Sequence, residues 1–320
     1  MDSELEKLLL QLQNDKSLKV WSLIITFFGD VVITRGGNVS AKTVHSLLAA
    51  MGVGAGATRT ALSRLANDSW IMRHKAGRES YYELASDGYQ PIEHAAARIY
   101  ASAPYAREKK HTGTCKFFVA QPVTGGADIP LGSIQVATNC WLYFDTDTDT
   151  DTDTDTDTQD GKPLDGLNQP IDSLIVSGQL QNVPAWVLET IVPESLQTGF
   201  QTLVNRFSSI NDIDKLSPLG CIVLRCLLIH EWRRLLLRTP VIPESLHPED
   251  WPERTCRQFV SALYHRLLDG SEAWLDENAT CIQGTLPSAT DNIRRRFTPD
   301  FLSVSEILCN TASNNKCRVR

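Results

Sequence analysis

The sequence predicts a multidomain α+β protein on three observations. Apolar residues first repeat at helical spacing and lead into a basic hairpin; a central stretch is rich in β-branched and aromatic residues; a long helical stretch follows. A chain of 320 residues predicts about two or three domains.

Residues 1–15 form a polar, amphipathic lead-in with no assigned role. Beyond it, Val20, Leu23, Ile24, Phe27 and Phe28 share one helical face, and Val44, Leu47, Leu48 and Met51 share another. Ser40 is placed to cap the second helix and Gly52 to end it. A third helix follows Gly54. In it Ala61, Leu62, Leu65 and Ala66 lie opposite Arg59, Thr60, Ser63, Arg64 and Asn67, a polar face without a carboxylate. Residues 71–73 and 81–84 then read as two strands joined around Lys75-Ala-Gly77-Arg78, a basic tip. Two arginines on a helix, or one basic turn, commonly mean only a solvated surface. Side by side, after two further helices, they predict a winged helix-turn-helix over residues 16–91. Arg59, Thr60, Ser63 and Arg64 would then face bases, and Arg73, Lys75 and Arg78 phosphates.

The charge distribution agrees with that reading. The whole chain carries a net charge of −7, yet residues 16–116 hold 14 Lys and Arg against 7 Asp and Glu. A basic segment is thus attached to acidic ones, as in a DNA-binding end joined to domains with another task.

A connecting helix is expected within 92–111, running over residues 92–105. Strands at 115–120, 133–144 and 174–176, with helices at 185–191 and 199–207, predict a small α+β domain over 112–213. It is interrupted at 145–160 by an insertion that begins with Asp-Thr repeated seven times through Thr158, expected to be a disordered surface loop. Strict alternation also lacks the glycine turn of a calcium loop. From Leu216 onward Leu219, Ile222, Val223, Cys226, Leu227, His230 and Leu237 trace an apolar helical stripe. A proline-punctuated connector over 239–252 precedes a helix at 255–268, giving a helical domain over 214–310 and a disordered tail over 311–320.

Several chemistries are excluded. The eight cysteines form no CxxC pair and no zinc-finger spacing, so they read as reduced thiols and no metal is expected. His230-Glu-Trp-Arg-Arg234 starts like a zinc-protease motif but has Arg234 where the second histidine belongs. Gly52-Val-Gly-Ala-Gly56 follows a helical pattern and not a strand, which rules out a dinucleotide loop. No secretion signal or membrane-length apolar run is present, predicting a cytoplasmic protein with no membrane contact. Arg225, His230, Arg233, Arg234 and Arg238, followed by Trp251, could grip the phosphates of an effector. They could equally form an inter-domain polar network.

Four segments carry a resemblance: Ser22-Leu-Ile-Ile-Thr-Phe-Phe-Gly-Asp30, Arg35-Gly-Gly37, Arg59-Thr-Ala-Leu-Ser-Arg-Leu65 and Gly77-Arg-Glu-Ser-Tyr-Tyr82. With Leu228-Ile-His-Glu-Trp-Arg-Arg234, Pro240-Val-Ile-Pro243 and Asp250-Trp-Pro252, they resemble the PaaX family of bacterial repressors, which control phenylacetate degradation. The resemblance implies a winged helix, a ferredoxin-like middle domain, a helical C-terminal domain and a homodimer on double-stranded operator DNA. It also implies release by phenylacetyl-CoA or a related aryl acyl-CoA, with no bound cofactor and no catalytic residue. By matching motifs, Arg59, Thr60, Ser63 and Arg64 take the recognition-helix positions, and Arg78 with Tyr81 falls in the wing; the cluster His230, Arg233, Arg234 and Arg238, with Trp251, is where such an effector could be held. Residues 121–130, rich in Pro and Gly where the family has a helix, and the acidic repeat depart from the pattern. The competing classes are an enzyme with a winged-helix interaction module, for which no nucleophile, base and orienting group form a set, and a ligand-independent winged-helix scaffold.

Overall fold

The computed structural model describes residues 3–15, 18–102, 114–120, 133–144, 173–242, 246–248, 250–299 and 301. The acidic repeat, residues 121–130 and the 311–320 tail lie outside the described residues. The protein is α+β, with two compact units: one of Met1–Pro104, Phe200–Leu237 and Glu253–Arg320, the other of Tyr105–Gly199 and Arg238–Pro252. Residues 16–91 and most of 214–310, segments far apart in the sequence, share the first unit.

The lead-in is helix α1 (Ser3–Asn14). Leu5, Leu8, Leu9 and Leu12 recur every three or four residues and are buried, so the segment is part of the core. Its ends are tied down: Gln13 Nε2 donates to Met51 O at 3.2 Å, and Glu4 accepts from Asn211 N at 2.9 Å. Helix α2 (Val20–Phe27) buries Leu23, Ile24 and Phe27, then widens into one π turn (Phe28–Val32) and a 3-10 turn (Ile33–Arg35). Gly36 and Gly37, at φ +88° and +78°, end it where a side chain would be strained.

Strand β1 (Asn38–Ser40) leads directly into α3 (Ala41–Ala50), whose Thr43 N–H is accepted by Ser40 Oγ at 3.1 Å, the expected cap. Gly52, at φ +78°, closes α3, and α4 (Ala55–Asn67) follows. Strands β2 (Ile71–Ala76) and β3 (Glu79–Leu84) form a longer hairpin than the sequence suggests, with Gly77-Arg78 as a two-residue tip. Gly77 has φ +62° and Arg78 no positive φ, which suits a type II′ turn matching strand twist. The sheet is antiparallel in the order β1-β3-β2. At three residues β1 is too short to have announced itself by periodicity.

Helix α5 (Ser86–Ile99) begins earlier than expected and carries Pro91 inside it, at the loss of one intrahelical hydrogen bond. Strands β4 (Thr114–Ala120), β5 (Ile134–Ala137), β6 (Cys140–Phe144) and β7 (Ser173–Gln179), with helix α6 (Ala185–Ile191), belong to the second unit. Their sheet is antiparallel in the order β5-β6-β4-β7. The strand expected at 133–144 is a hairpin, since Asn139 adopts φ +63°, a left-handed conformation that asparagine tolerates. Cys115, Leu142, Phe144, Ile191, Val192 and Ile242 make this unit's core.

Helix α7 (Glu194–Ser208) contributes Phe200, Leu203 and Phe207 to the first unit. There α8 (Pro218–Leu236) is buried nearly all round and packs lengthwise on α9 (Glu253–Asn278). The sequence reading placed the second of these over 255–268; the structure extends it through Gly270 to Asn278. A Cβ at Gly270 would lie 2.5 Å from Cys221 Sγ, so close helix packing accounts for the glycine. Strands β8 (Thr280–Cys281) and β9 (Gly284–Thr285) and helix α10 (Asn292–Arg295) complete the unit.

Candidate nucleic-acid interface

Helix α4 buries Thr58, Ala61, Leu62 and Leu65, and this stripe turns the opposite face outward. Arg59, Thr60, Ser63, Arg64 and Asn67 are all exposed there. Arg59 Nε and Thr60 Oγ1 make only weak intrahelical bonds to Ala55 O and Gly56 O, at 3.4 and 3.0 Å. Arg64 meets Asp68 at 3.5 Å with both side chains exposed, an ion pair that water screens and a phosphate could displace.

The hairpin carries its cations differently. Lys75 and Arg78 are exposed at or beside the tip. Arg73 is exposed but donates from Nε and Nη2 to Ser80 Oγ at 3.2 and 2.8 Å, across the β2–β3 pair. Tyr81 is buried, and its hydroxyl donates to Glu79 at 2.6 Å. That bond and burial push its pKa up, so Tyr81 supports the hairpin in this structure.

The effector residues read from sequence are not all on one surface. His230 is fully buried and faces Thr26 Oγ1 at 3.2 Å. Arg233 donates to Thr26 and Ser22 of α2. Arg234 pairs with Glu231 at 2.9 Å. Arg225, in the same sequence cluster, is a buried hub paired to Asp30. Arg238, exposed, and Trp251, stacked on His247 with ring centroids 5.5 Å apart, belong to the second unit.

Two family models fit these elements. One, described as PaaX-like protein, matches residues 19–88, from α2 through the hairpin, and the other, PaaX-like protein C-terminal domain, matches residues 193–277. Over these two segments the chain is similar to PaaX-like proteins. It is similar to the Transcriptional repressor PaaX of Escherichia coli (strain K12), 25% identical over 301 residues, covering 86% of this chain and 89% of that one. It also matches the solved structure of the uncharacterized protein Rv0674 from Mycobacterium tuberculosis, at 16% identity and a TM-score of 0.43, over 72% of this chain and 91% of that one.

The geometry adds residues that sequence reasoning missed. His45 and Ser46 of α3, with Ala49, Ala55 and Arg59, line an open groove of about 480 Å³ between α3 and α4. Burial, and then the positive charge of Arg59, push the pKa of His45 below its ordinary value. The signal was present in principle, because Lys42 and Ser46 lie on the face of α3 opposite Val44, Leu47 and Leu48, and both are exposed.

Burial raises the thiols of Cys221, Cys226 and Cys256, the last to about 12, which leaves them protonated and unreactive near neutrality. No cluster of His, Cys, Asp and Glu that could hold a metal occurs among the described residues. No described helix is long and apolar enough to cross a membrane.

Proposed function

We propose that this chain is a DNA-binding transcriptional repressor of an aromatic-acid, phenylacetate-type catabolic operon, acting in the cytoplasm as a homodimer on a double-stranded operator. The observation that carries the reading is the exposed, carboxylate-free face of α4 beside the basic tip of the β2–β3 hairpin. A winged helix-turn-helix over 16–91 is supported by the order α2, β1, α3, α4, β2, β3 and by the sheet order β1-β3-β2. A ferredoxin-like middle domain over 112–213 is supported by its antiparallel order β5-β6-β4-β7. The repressor role is what the name of the Escherichia coli relative suggests.

In this reading Arg59, Thr60, Ser63 and Arg64 read bases, and Arg73, Lys75 and Arg78 bind phosphates, with His45, Ser46 and Lys42 added from α3. Release by an aryl acyl-CoA belongs to the same proposal and rests on the family resemblance. Of the residues named for it, Arg238 and Trp251 share one unit, while His230 and Arg233 are engaged with α2. Emptying an operator from 99:1 to 1:99 requires about 5.5 kcal/mol of differential binding, which a coenzyme A thioester has enough polar groups to supply.

Selection of genomic fragments by the purified chain, followed by gel-shift titration with and without phenylacetyl-CoA and related thioesters, tests both parts. Failure to enrich any fragment ends the operator reading. Enrichment that no thioester reverses ends the effector part alone.

A further inference from the structure

We propose that the cavity between α2, α5 and α8 is a binding site for a small organic monocarboxylate, held by its anion on Arg233. The cavity has an accessible volume of about 30 Å³ and is walled mainly by Ile25, Ile92, Ala96, Ile99 and Ile229. That space exceeds the 10 to 15 Å³ or so needed for one water but cannot enclose a nucleotide. This ligand is therefore distinct from the coenzyme A thioester proposed above. Its apolar walls suit a short alkyl chain, and its polar lining is Thr26, Asp30, Tyr100 and Arg233.

Arg233, partly buried, differs from the buried arginines of its unit. Arg35 pairs with Glu272, Arg225 with Asp30 and Glu272, Arg257 with Glu253, and Arg296 with Asp30. Arg233 has no carboxylate within ion-pair distance among the described residues. Its guanidinium meets only neutral acceptors: Nε donates to Thr26 Oγ1 at 2.8 Å, and Nη2 to Ser22 O and Oγ at 3.1 and 2.5 Å. Asp30, on the same cavity wall, is already committed to Arg225, Arg296, Tyr100 and Tyr264 at 2.7, 2.6, 2.7 and 3.1 Å.

A partly buried cation without a counter-charge is costly, and burial accordingly pushes the Arg233 pKa below its ordinary value. A carboxylate entering the cavity offsets that cost and can accept from Nη1, which no described group engages. The wall is irregular and closely packed at one point. Gly29 and Asp30 sit in the π turn, a local irregularity that recurs at functional sites, and a Cβ at Gly29 would approach Ile92 Cγ2 to 3.1 Å.

The test uses the full chain and propionate as probe, followed by saturation-transfer NMR and calorimetry against chloride at matched ionic strength. Two controls isolate the parts of the site. Ala96→Leu fills the cavity without touching Arg233, and propionamide keeps the shape of propionate without its charge. Saturable propionate binding is expected, weakened about tenfold or more in Ala96→Leu and in Arg233→Gln, with propionamide weaker by a similar factor, as befits a charge-assisted contact. Because Arg233→Gln also loses its bonds to α2, the filling variant and the amide decide the matter if that protein fails to fold. No saturable propionate signal, equal binding by Ala96→Leu, or equal binding of propionamide would each overturn the proposal.

Discussion

Arg225 Nε donates to Asp30 Oδ2 at 2.7 Å, and both side chains are fully buried. Around this pair Asp30 also accepts from Tyr100, Tyr264 and Arg296, while Arg225 reaches Glu272 at 2.6 Å. Glu272 in turn receives Arg35. Burying a pair of charges gains little by itself; what makes it tolerable is that neighbouring donors and acceptors satisfy the remaining valences. The network fixes the π turn after α2 onto α8 and α9. Because α4 also packs on α2, the posture of the DNA-facing helix is referred to the same buried centre.

Asp30→Asn should therefore lower stability by about 3 to 5 kcal/mol, the range for breaking a buried pair, measured as a fall in denaturation midpoint. The pH dependence has a definite sign. Burial pushes the Asp30 pKa up, but Arg225 and Arg296 outweigh it and hold it below the ordinary 3.8. Its stabilising contribution is thus full above that value and is lost as pH falls through the depressed one. The variant should lack this part of the acid-unfolding curve. An unchanged acid limb together with unchanged stability would show that the pair is not coupled to folding.

Much of this was legible in the sequence because the relevant signals are local. The three helices, the Ser40 cap and the outward face of α4 follow from spacing alone, and the structure reproduces them. What was illegible depends on partners far along the chain. Arg225 and Arg233 read as members of a cationic cluster that could hold an effector or form a polar network, but their partners Asp30, Ser22 and Thr26 lie about two hundred residues away. No periodicity signals such a pairing. The need for glycine at position 270 likewise depends on Cys221, far away in sequence. The helix of the lead-in was a different failure, since Leu5, Leu8, Leu9 and Leu12 carried the helical spacing openly.

Arg59 projects from the exposed face of α4 with only one weak backbone bond to lose. Arg59→Ala should weaken operator binding by about 1 to 3 kcal/mol and relax base preference at one position, if the guanidinium is bidentate to a guanine. Circular dichroism should not change. An operator affinity equal to that of the wild type would move base reading to another element.

The hairpin tip should act through charge and not through base identity. Replacing Lys75 and Arg78 together by Ala should weaken binding to operator and random DNA alike, and lower the salt slope by about one unit per lost phosphate contact. Both residues are exposed, so the melting temperature should hold. A loss restricted to particular base pairs would contradict the phosphate assignment.

His45 gives operator binding a pH dependence of predictable direction. In the free protein, burial and Arg59 favour its neutral form, so protonation is disfavoured below the ordinary 6.5. For the free fold the sign follows directly: the contribution is present above 6.5 and is lost as pH falls through the depressed value. A DNA phosphate seated in the groove between α3 and α4 reverses the balance, because its negative charge favours the imidazolium and partly neutralises Arg59. Binding should then take up a proton at His45, and operator affinity should rise as pH is lowered from 8 towards 6, by at most about tenfold per pH unit for one proton. His45→Gln keeps a polar side chain but cannot titrate. Its affinity should match that of the wild type at pH 8 and fall behind as the pH drops, with Lys42 and Arg59 still in place. Affinities measured at fixed ionic strength across that range decide the assignment: a slope that survives in His45→Gln would place the titrating group elsewhere.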